Sequence, residues 1–462
     1  MENNSRFQTY FLFGLVVLTC SLGGFTQTAV NAMLTGIGVE FEVGHDVAQL
    51  LTTIYMLVMG ITVPVVTFLS HRLTTKSIVI WALVFFAAGC LTDMLSLNFA
   101  CMAAGRVLQA VSSGITLPLV QSLAMTRFPP GQNATAMGVA GIAMGFAPNI
   151  GPTIGGAVYE SWGWRSYFII VLVISLVFLV AAFLGVKTRG TPKIGGSLDV
   201  VSFLLSTFGF GGLLMGFSNA ATYDLLSFLV WLPILVGVIC LILFVIRQNR
   251  VSQPLISMQV FKSGRYRVSF VLQNLLFASF MGITLILPLF MQEVWGATPT
   301  VAGSVFILAV VAAVIFNPLA GILTDRIGAR EVMIGAGLCM VVGSAAMVFI
   351  TADTPLIVIM LMQGIRGIGV SSLIGPMASY GLSELPHVVM MDGSAFFATV
   401  RQCCASLGTA IMMWFVVSFA VGGAGILESG SLGFSCAFGF SAVLAILVLI
   451  ITVVRIQKNV EP

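Results

Sequence analysis

Long apolar stretches separated by short polar or basic connections define this chain, and fourteen of them are long enough to cross a hydrocarbon layer as helices. They run over 11–33, 49–69, 78–97, 99–124, 134–157, 166–186, 199–219, 226–246, 268–291, 301–323, 332–350, 355–380, 393–420 and 434–454. The pattern predicts an all-α integral membrane protein. The fifth stretch stands apart. At helical spacing, Gly138, Gly141, Gly145, Pro148, Pro152 and Gly155 with Gly156 fall on one face with almost no side chains. A neighbouring helix can approach such a face backbone to backbone. Pro148 and Pro152 each remove a helix hydrogen bond, so a bend is expected there. Together with Gly151, they make this stretch the expected moving element.

Composition fixes the class. Hydrophobic residues make up 58% and charged ones 8%, and the mean hydropathy is +1.09; a soluble chain of this length needs far more surface charge. If both termini are cytoplasmic, sixteen of the twenty Lys and Arg residues fall on the inner side and only Arg165 on the outer side. The remaining three, Arg106, Arg366 and Arg401, fall inside spanning segments. The net charge of +4 therefore reports orientation in a lipid bilayer, not nucleic-acid binding. No small-residue cleavage site follows Met1 to Phe7, so the first helix is expected to stay uncleaved. All eight cysteines sit in apolar segments without a Cys-x-x-Cys pair and are expected to act as small packing residues.

Laid on itself, the chain repeats. Pro64-Val-Val-Thr-Phe-Leu-Ser-His-Arg-Leu-Thr-Thr-Lys76 aligns without gaps on Pro318-Leu-Ala-Gly-Ile-Leu-Thr-Asp-Arg-Ile-Gly-Ala-Arg330. Gly105-Arg106, Val111-Ser-Ser and Pro118 echo Gly364, Arg366, Val370-Ser-Ser and Pro376. The repeat predicts two pseudo-symmetric six-helix halves, 1–190 and 251–462, with an inserted helix pair in 191–250. A short amphipathic piece is expected around Leu255–Phe261.

A charged side chain in hydrocarbon costs roughly 2.5 kcal/mol or more, so the three membrane arginines are expected to face a cavity or a partner. Gln109 and Ser113 share a face with Arg106, and Gln363 shares one with Arg366. Gln27 and Asn31 lie one turn apart in the first segment, and Asn149 lies in the fifth. The candidate substrate cavity is thus Gln27, Asn31, Arg106, Gln109, Asn149, Gln363, Arg366 and Arg401. Tyr55, Gln273, Asn274, Gln292 and Asn317 are weaker candidates of the same kind. No phosphate-cradling glycine loop, metal-ligand cluster or catalytic histidine set is apparent, so neither a cofactor nor an enzyme activity is expected.

Ala147-Pro-Asn-Ile-Gly-Pro-Thr-Ile-Gly-Gly156, lying on the fifth segment, resembles the antiporter motif of drug–proton antiporters of the major facilitator superfamily. Gly321-Ile-Leu-Thr-Asp-Arg-Ile-Gly-Ala-Arg330 resembles the superfamily's loop motif, and Arg106-Val-Leu-Gln109 its fourth-helix arginine motif. Trp162-Gly-Trp-Arg165 and Gly393-Ser-Ala…Arg401-Gln402 resemble the fourteen-helix branch. The resemblance implies alternating access in the cell membrane. It also implies gating by Gly145, Pro148, Gly151, Pro152, Gly155 and Gly156, and by Arg72, Asp325, Arg326 and Arg330 of the loops. The implied function is export of small organic compounds by a monomer, with protons as coupling ion. Two departures qualify it. Thr26 stands where related antiporters carry an Asp in the first helix, and no Asp or Glu lies well inside a segment, Asp93 being placed near an outer end. His71 and Thr74 replace an Asp and a Gly of the first-half loop. The alternative is a carrier for one metabolite or vitamin-like compound, moving inward without protons.

Overall fold

The computed structural model describes residues 2–70, 72–129, 131–186, 199–220, 227–251, 254–418 and 432–456. His71 and most of the linker after the sixth segment, including Lys187, Arg189 and Lys193, lie outside them. The long helices are α1 (Glu2–Ala29), α2 (His45–Ser70), α3 (Thr75–Met94), α4 (Phe99–Thr126), the broken α5 (133–162) and α6 (Trp164–Gly185). Then come α7 (Val200–Ala220), α8 (Phe228–Gln248), α9 (Gly264–Glu293), α10 (Ile307–Ile327), α11 (Ala329–Met347), α12 (Leu356–Leu382), α13 (Met390–Ser418) and α14 (Leu432–Arg455). Among the described residues, thirteen helices are long and apolar enough to cross a membrane. Each overlaps an expected stretch.

The element outside that thirteen is α5, which consists of Asn133–Gly141, a π turn at Ile142–Phe146 and Ala147–Trp162. Proline explains the break. Pro148 has no N–H and its ring crowds the preceding turn, and the widened π turn directly before it relieves both problems. Asn149 Nδ2 donates to the Gly145 carbonyl at 2.9 Å, serving an acceptor at this break.

Side-chain caps start several helices where the sequence supplies them. The Thr74 side chain accepts from the Ser77 N–H at α3, Asn98 from Cys101 at α4 and Ser263 from Tyr266 at α9. Helices α6 and α8 expose apolar rows such as Val173, Val177 and Val180, or Leu235, Ile239 and Ile242, whereas α4 is mostly buried. That contrast is expected of a bundle whose rim meets lipid.

Packing is paired. Helix α3 packs on α4 and α6, α1 on α4 and α5, and α2 on α4; in the same way α11 packs on α12 and α14, α9 on α12 and α13, and α10 on α12. Two interfaces join these sets: α5 against α10 and α12, and α13 against α2 and α4. Helix α7 packs on α8, α2 and α13. Before α9, the expected amphipathic piece is a 3-10 turn, Met258–Lys262, with Leu255, Ile256 and Val260 buried.

The small residues of α5 do not form one face toward one partner, as their spacing predicts. A Cβ on Gly138 would lie 2.4 Å from the Asn317 carbonyl oxygen, and one on Gly141 2.6 Å from Asn317 Oδ1, both on α10. A Cβ on Gly151 would come within 2.7 Å of the Phe25 carbonyl oxygen, and one on Gly155 within 2.8 Å of Ala29, both on α1. The π turn adds a residue to one turn and so shifts the helical phase between the two groups. One end of α5 therefore grips α10 and the other grips α1.

Candidate functional site

Two cavities flank the π turn of α5. The larger, about 470 Å³ including the solvent it opens to, is lined by Cys20, Gly24 and Gln27 of α1, Met59 of α2, Ser113 and Leu117 of α4, and Ala143, Met144 and Pro148 of α5. Phe277 and Met281 of α9 and Arg401 and Gln402 of α13 close it. The smaller, about 290 Å³, lies on the other side of the same turn and is lined by Gly145, Asn149, Phe280, Ala309, Gln363, Arg366, Gly367, Val370, Ser371 and Ile374. Residues 143–149 of α5 contribute to both. Both are narrow clefts between the helices, with polar and apolar groups mixed in their walls.

The smaller cavity has unused hydrogen-bonding capacity. Arg366 is 1% exposed, and its Nη2 donates to the Ser279 carbonyl at 3.0 Å and to Ser279 Oγ at 3.2 Å. Ser279 Oγ in turn pairs with Ser441 Oγ at 2.7 Å. Arg366 Nε, Gln363 Oε1 and Asn149 Oδ1 have no hydrogen-bond partner within the protein. One donor and two acceptors, on three residues around one cavity, are thus buried without a partner, which is costly.

In the larger cavity Arg401 lies over the Phe277 ring, 4.4 Å from its centroid, and Nη1 approaches Met144 Sδ at 3.2 Å. These are weak partners for a cation. Gln27 lines the same cavity and is 8% exposed. Phe277, Phe280, Met144 and Gln402 were not singled out by spacing. Apolar residues carry no signal that separates a cavity wall from packing.

Arg106, Gln109 and Asn31 line neither cavity. Arg106 is wholly buried, donates through Nη1 to the Thr26 carbonyl (3.2 Å) and to Gln109 Oε1 (2.9 Å), and lies over the Tyr55 ring at 4.3 Å. Tyr55 donates to the Gly23 carbonyl and shares a 2.5 Å hydrogen bond with Ser113 Oγ, a wall of the larger cavity. Asn31 accepts from Thr52 Oγ1 at an exposed position. Asp93 lies at the end of α3, as its place in the sequence predicts. It is wholly buried, and its Oδ2 accepts from Gln109 Nε2 at 2.8 Å. Its place in the last turn of α3 conceals this in the sequence. Burial comes from the glycines, since a Cβ on Gly89 would lie 2.7 Å from the Gly105 carbonyl, and so α4 closes over α3.

The loop candidates take separate roles. Asp325, near the end of α10, sits at the N-terminus of α5: Oδ1 accepts from the Ala134 N–H (3.2 Å), and Oδ2 from the Thr135 N–H (2.8 Å) and Oγ1 (2.6 Å). A carboxylate there meets both free N–H groups and the positive end of the helix dipole. Close by, a Cβ on Gly321 would lie 2.4 Å from the Ala134 carbonyl, and one on Gly375 3.0 Å from Gly138 Cα. This end of the bundle is sealed. Arg330 Nε donates to the Ile456 carbonyl at 2.9 Å, Arg72 lies over Phe68, and Arg326 is exposed. Ion pairs among the described residues are Arg165–Glu40, Arg247–Asp199 and Arg265–Glu384; the three arginines within the helices are in none of them. The two hydrogen bonds from Arg247 hold the Asp199 carboxyl well below the usual carboxylate range.

Known proteins resemble this chain over nearly its whole length. The Major Facilitator Superfamily model matches residues 16–239. The uncharacterised MFS-type transporter YcnB of Bacillus subtilis is 33% identical over 443 residues, covering 95% of this chain and 93% of that protein. The lincomycin resistance protein LmrB of Listeria monocytogenes is 33% identical over 393 residues (84% and 83%). The riboflavin transporter RibZ of Clostridioides difficile is 26% identical over 410 residues (87% and 88%). Among solved structures, the human organic anion transporter MFSD10 (TETRAN) superposes with a TM-score of 0.65 at 13% identity, over 95% of this chain and 99% of that one, which shows a shared fold.

Proposed function

This chain belongs to the Major Facilitator Superfamily, and we propose that it exports small organic compounds across the cell membrane by alternating access. The observation that carries this reading is the pair of cavities on either side of the α5 π turn, walled by helices from both interacting sets. A helix whose small residues grip α1 at one end and α10 at the other can transmit a change at the cavity to the sealed end. In this account 1–190 and 251–462 are the two halves that rock, 191–250 is an accessory pair, and α5 completes fourteen spans with both termini in the cytoplasm. The protein works as a monomer in the bilayer.

The cavity polarity favours a planar or polar, electron-rich compound. Arg366 and Arg401 offer positive charge without a carboxylate partner, and Phe277 and Phe280 offer ring faces. LmrB's name points to drug export, which fits the larger, Met- and Phe-lined cavity. A second reading, a carrier for one vitamin-like metabolite, is favoured by the unpaired Arg366, Gln363 and Asn149 atoms, because such a donor–acceptor set discriminates sharply, and RibZ's name agrees with it. Everted membrane vesicles from cells overproducing the protein, supplied with labelled lincomycin, labelled riboflavin and a panel of planar drugs, decide between them. Accumulation of several drugs supports export of broad range; accumulation of riboflavin alone, in right-side-out and not in everted vesicles, supports the inward metabolite carrier. No accumulation above control vesicles for any compound contradicts export.

A further inference from the structure

We propose that the larger cavity receives the oxyanion head of an aromatic organic anion, held by Arg401 and Gln402 of α13 from one side and by Gln27 of α1 from the other. The three arginines inside the helices differ in how far their charge is already answered. Arg106 donates to the Thr26 carbonyl and to Gln109 Oε1, and Arg366 to the carbonyl and hydroxyl of Ser279. Arg401 has no oxygen acceptor among the described residues. It is 5% exposed, and its partners are the Phe277 ring at 4.4 Å and, through Nη1, Met144 Sδ at 3.2 Å. Its Nε and Nη2 have no hydrogen-bond partner among the described residues. A buried guanidinium so poorly answered is costly, and an anion in the cavity offsets that cost.

The sulfur does not hold the guanidinium fast. Met144 Sδ also receives Gln121 Nε2 at 3.1 Å, so two donors share one weak acceptor, and the sulfur keeps a donor when Arg401 turns to a ligand. Two more polar side chains stand unused on the same wall. Gln27, 8% exposed, and Gln402 both line the cavity and make no side-chain hydrogen bond among the described residues. The NH2 group of each amide donates to an oxyanion just as the guanidinium does. No Asp or Glu is among the described residues of this wall. Such a set repels a lipophilic cation, and a carboxylate or sulfonate is the group that all three side chains can serve.

The rest of the wall sets the body of the compound. Met59, Leu117, Phe277 and Met281 are apolar, and their ring and thioether contacts suit a flat aromatic skeleton. The cleft is narrow as it stands, and it is the head group that its polar residues define. Gln27 belongs to the set of helices around α1, whereas Arg401 and Gln402 belong to the set around α9 and α13. An oxyanion has lone pairs enough to accept from both sides at once, so it ties α1 to α13 across the cavity. A neutral compound of the same shape touches the apolar wall but forms no charge-assisted bond to α13. The charge of the head group is therefore what this site selects, and its preference for the tied arrangement is what biases the two sets.

The inference rests on the transporter reading and names the substrate class of the same cavity, but its test measures binding without transport, so the two can fail separately. Purified protein in neutral detergent is titrated by fluorescence with naphthoate, anthracene carboxylate and pyrene carboxylate, each against its own carboxamide, with empty micelles as the blank. For at least one pair, wild type is expected to bind the carboxylate about thirtyfold more tightly than the amide, the loss that follows when a charged acceptor becomes a neutral one. Arg401→Gln is expected to bring that carboxylate down to the affinity of its amide, and Gln27→Leu to weaken it about tenfold. Arg401→Lys keeps the charge without the planar fork and is expected to show an intermediate preference; it serves as the test if Arg401→Gln does not fold. Equal affinity for carboxylate and amide in every pair, or binding of neither, would overturn the assignment. So would a preference undiminished in Arg401→Gln or Arg401→Lys, or a carboxylate affinity unchanged in Gln27→Leu.

Discussion

Replacing Asp325 by Asn tests how the sealed end of the bundle is held. The carboxylate accepts three hydrogen bonds from the first turn of α5, two of them from backbone N–H groups at a helix start. An Asn side chain keeps one oxygen acceptor. With that oxygen toward Thr135, its NH2 group faces the Ala134 N–H, and two donors oppose each other. The loss combines one charge-assisted hydrogen bond with the charge–dipole attraction, reduced because Asp325 is half-buried and partly screened. About 2 kcal/mol is a reasonable total, and that corresponds to about a thirtyfold shift in a two-state equilibrium. Spin labels at Gln132→Cys and Ile327→Cys, in a background without accessible native cysteines, measure it by double electron–electron resonance. The long-distance population is expected to grow by that order in Asp325→Asn. Distance distributions indistinguishable from those of the parent would refute the idea that this carboxylate holds the end closed.

The remaining predictions address the same architecture elsewhere. Gly151→Leu and Gly155→Leu are expected to abolish transport while leaving folded protein in the membrane, because a Cβ there already lies 2.2 Å from Thr28 Oγ1 or 2.8 Å from Ala29; normal transport by both would show that the close approach to α1 is dispensable. Single cysteines at Lys193, Ser257 and Ser383 are expected to react with impermeant thiol reagents only from the cytoplasmic side, and labelling of any of them from outside would overturn the topology. The depressed Asp199 acidity means that this carboxylate stabilises the fold above its unfolded value near pH 4 and loses that contribution as pH falls through its lower folded value. Asp199→Asn should therefore lower the thermal midpoint by a constant amount from pH 7 to about 5, with the difference fading below about pH 4; a difference that vanishes between pH 7 and 5 would contradict the pairing with Arg247.

Helix positions were legible because each crossing must satisfy its own backbone inside one apolar run, and run length alone reveals it. The α5 interruption was half legible. Pro148 and Pro152 announce a break, but spacing places the bend at the prolines, and the structure absorbs it in the π turn before Pro148. The same turn divides the small residues between α1 and α10, which a pattern read at constant period cannot show. Arg366, Gln363 and Asn149 converge on one cavity because their helices meet there, and Gln27 joins Arg401 in the other. Arg106 and Gln109 instead close on Asp93 and Tyr55, a consequence of the tight α3–α4 approach at Gly89 and Gly105. Sequence distance conceals such an approach, since those two glycines stand sixteen positions apart.

Arg366 gives the most direct test of the cavity as the transport path. Wild type, Arg366→Ala and Arg366→Lys are reconstituted in liposomes, and accumulation is measured for those compounds of the lincomycin, riboflavin and planar-drug panel that the wild type moves. The account predicts loss of transport in Arg366→Ala and little recovery in Arg366→Lys, because a point charge cannot reproduce the planar guanidinium fork between Ser279 and the open cavity. Undiminished accumulation by Arg366→Ala, in protein whose fold is intact, would contradict it.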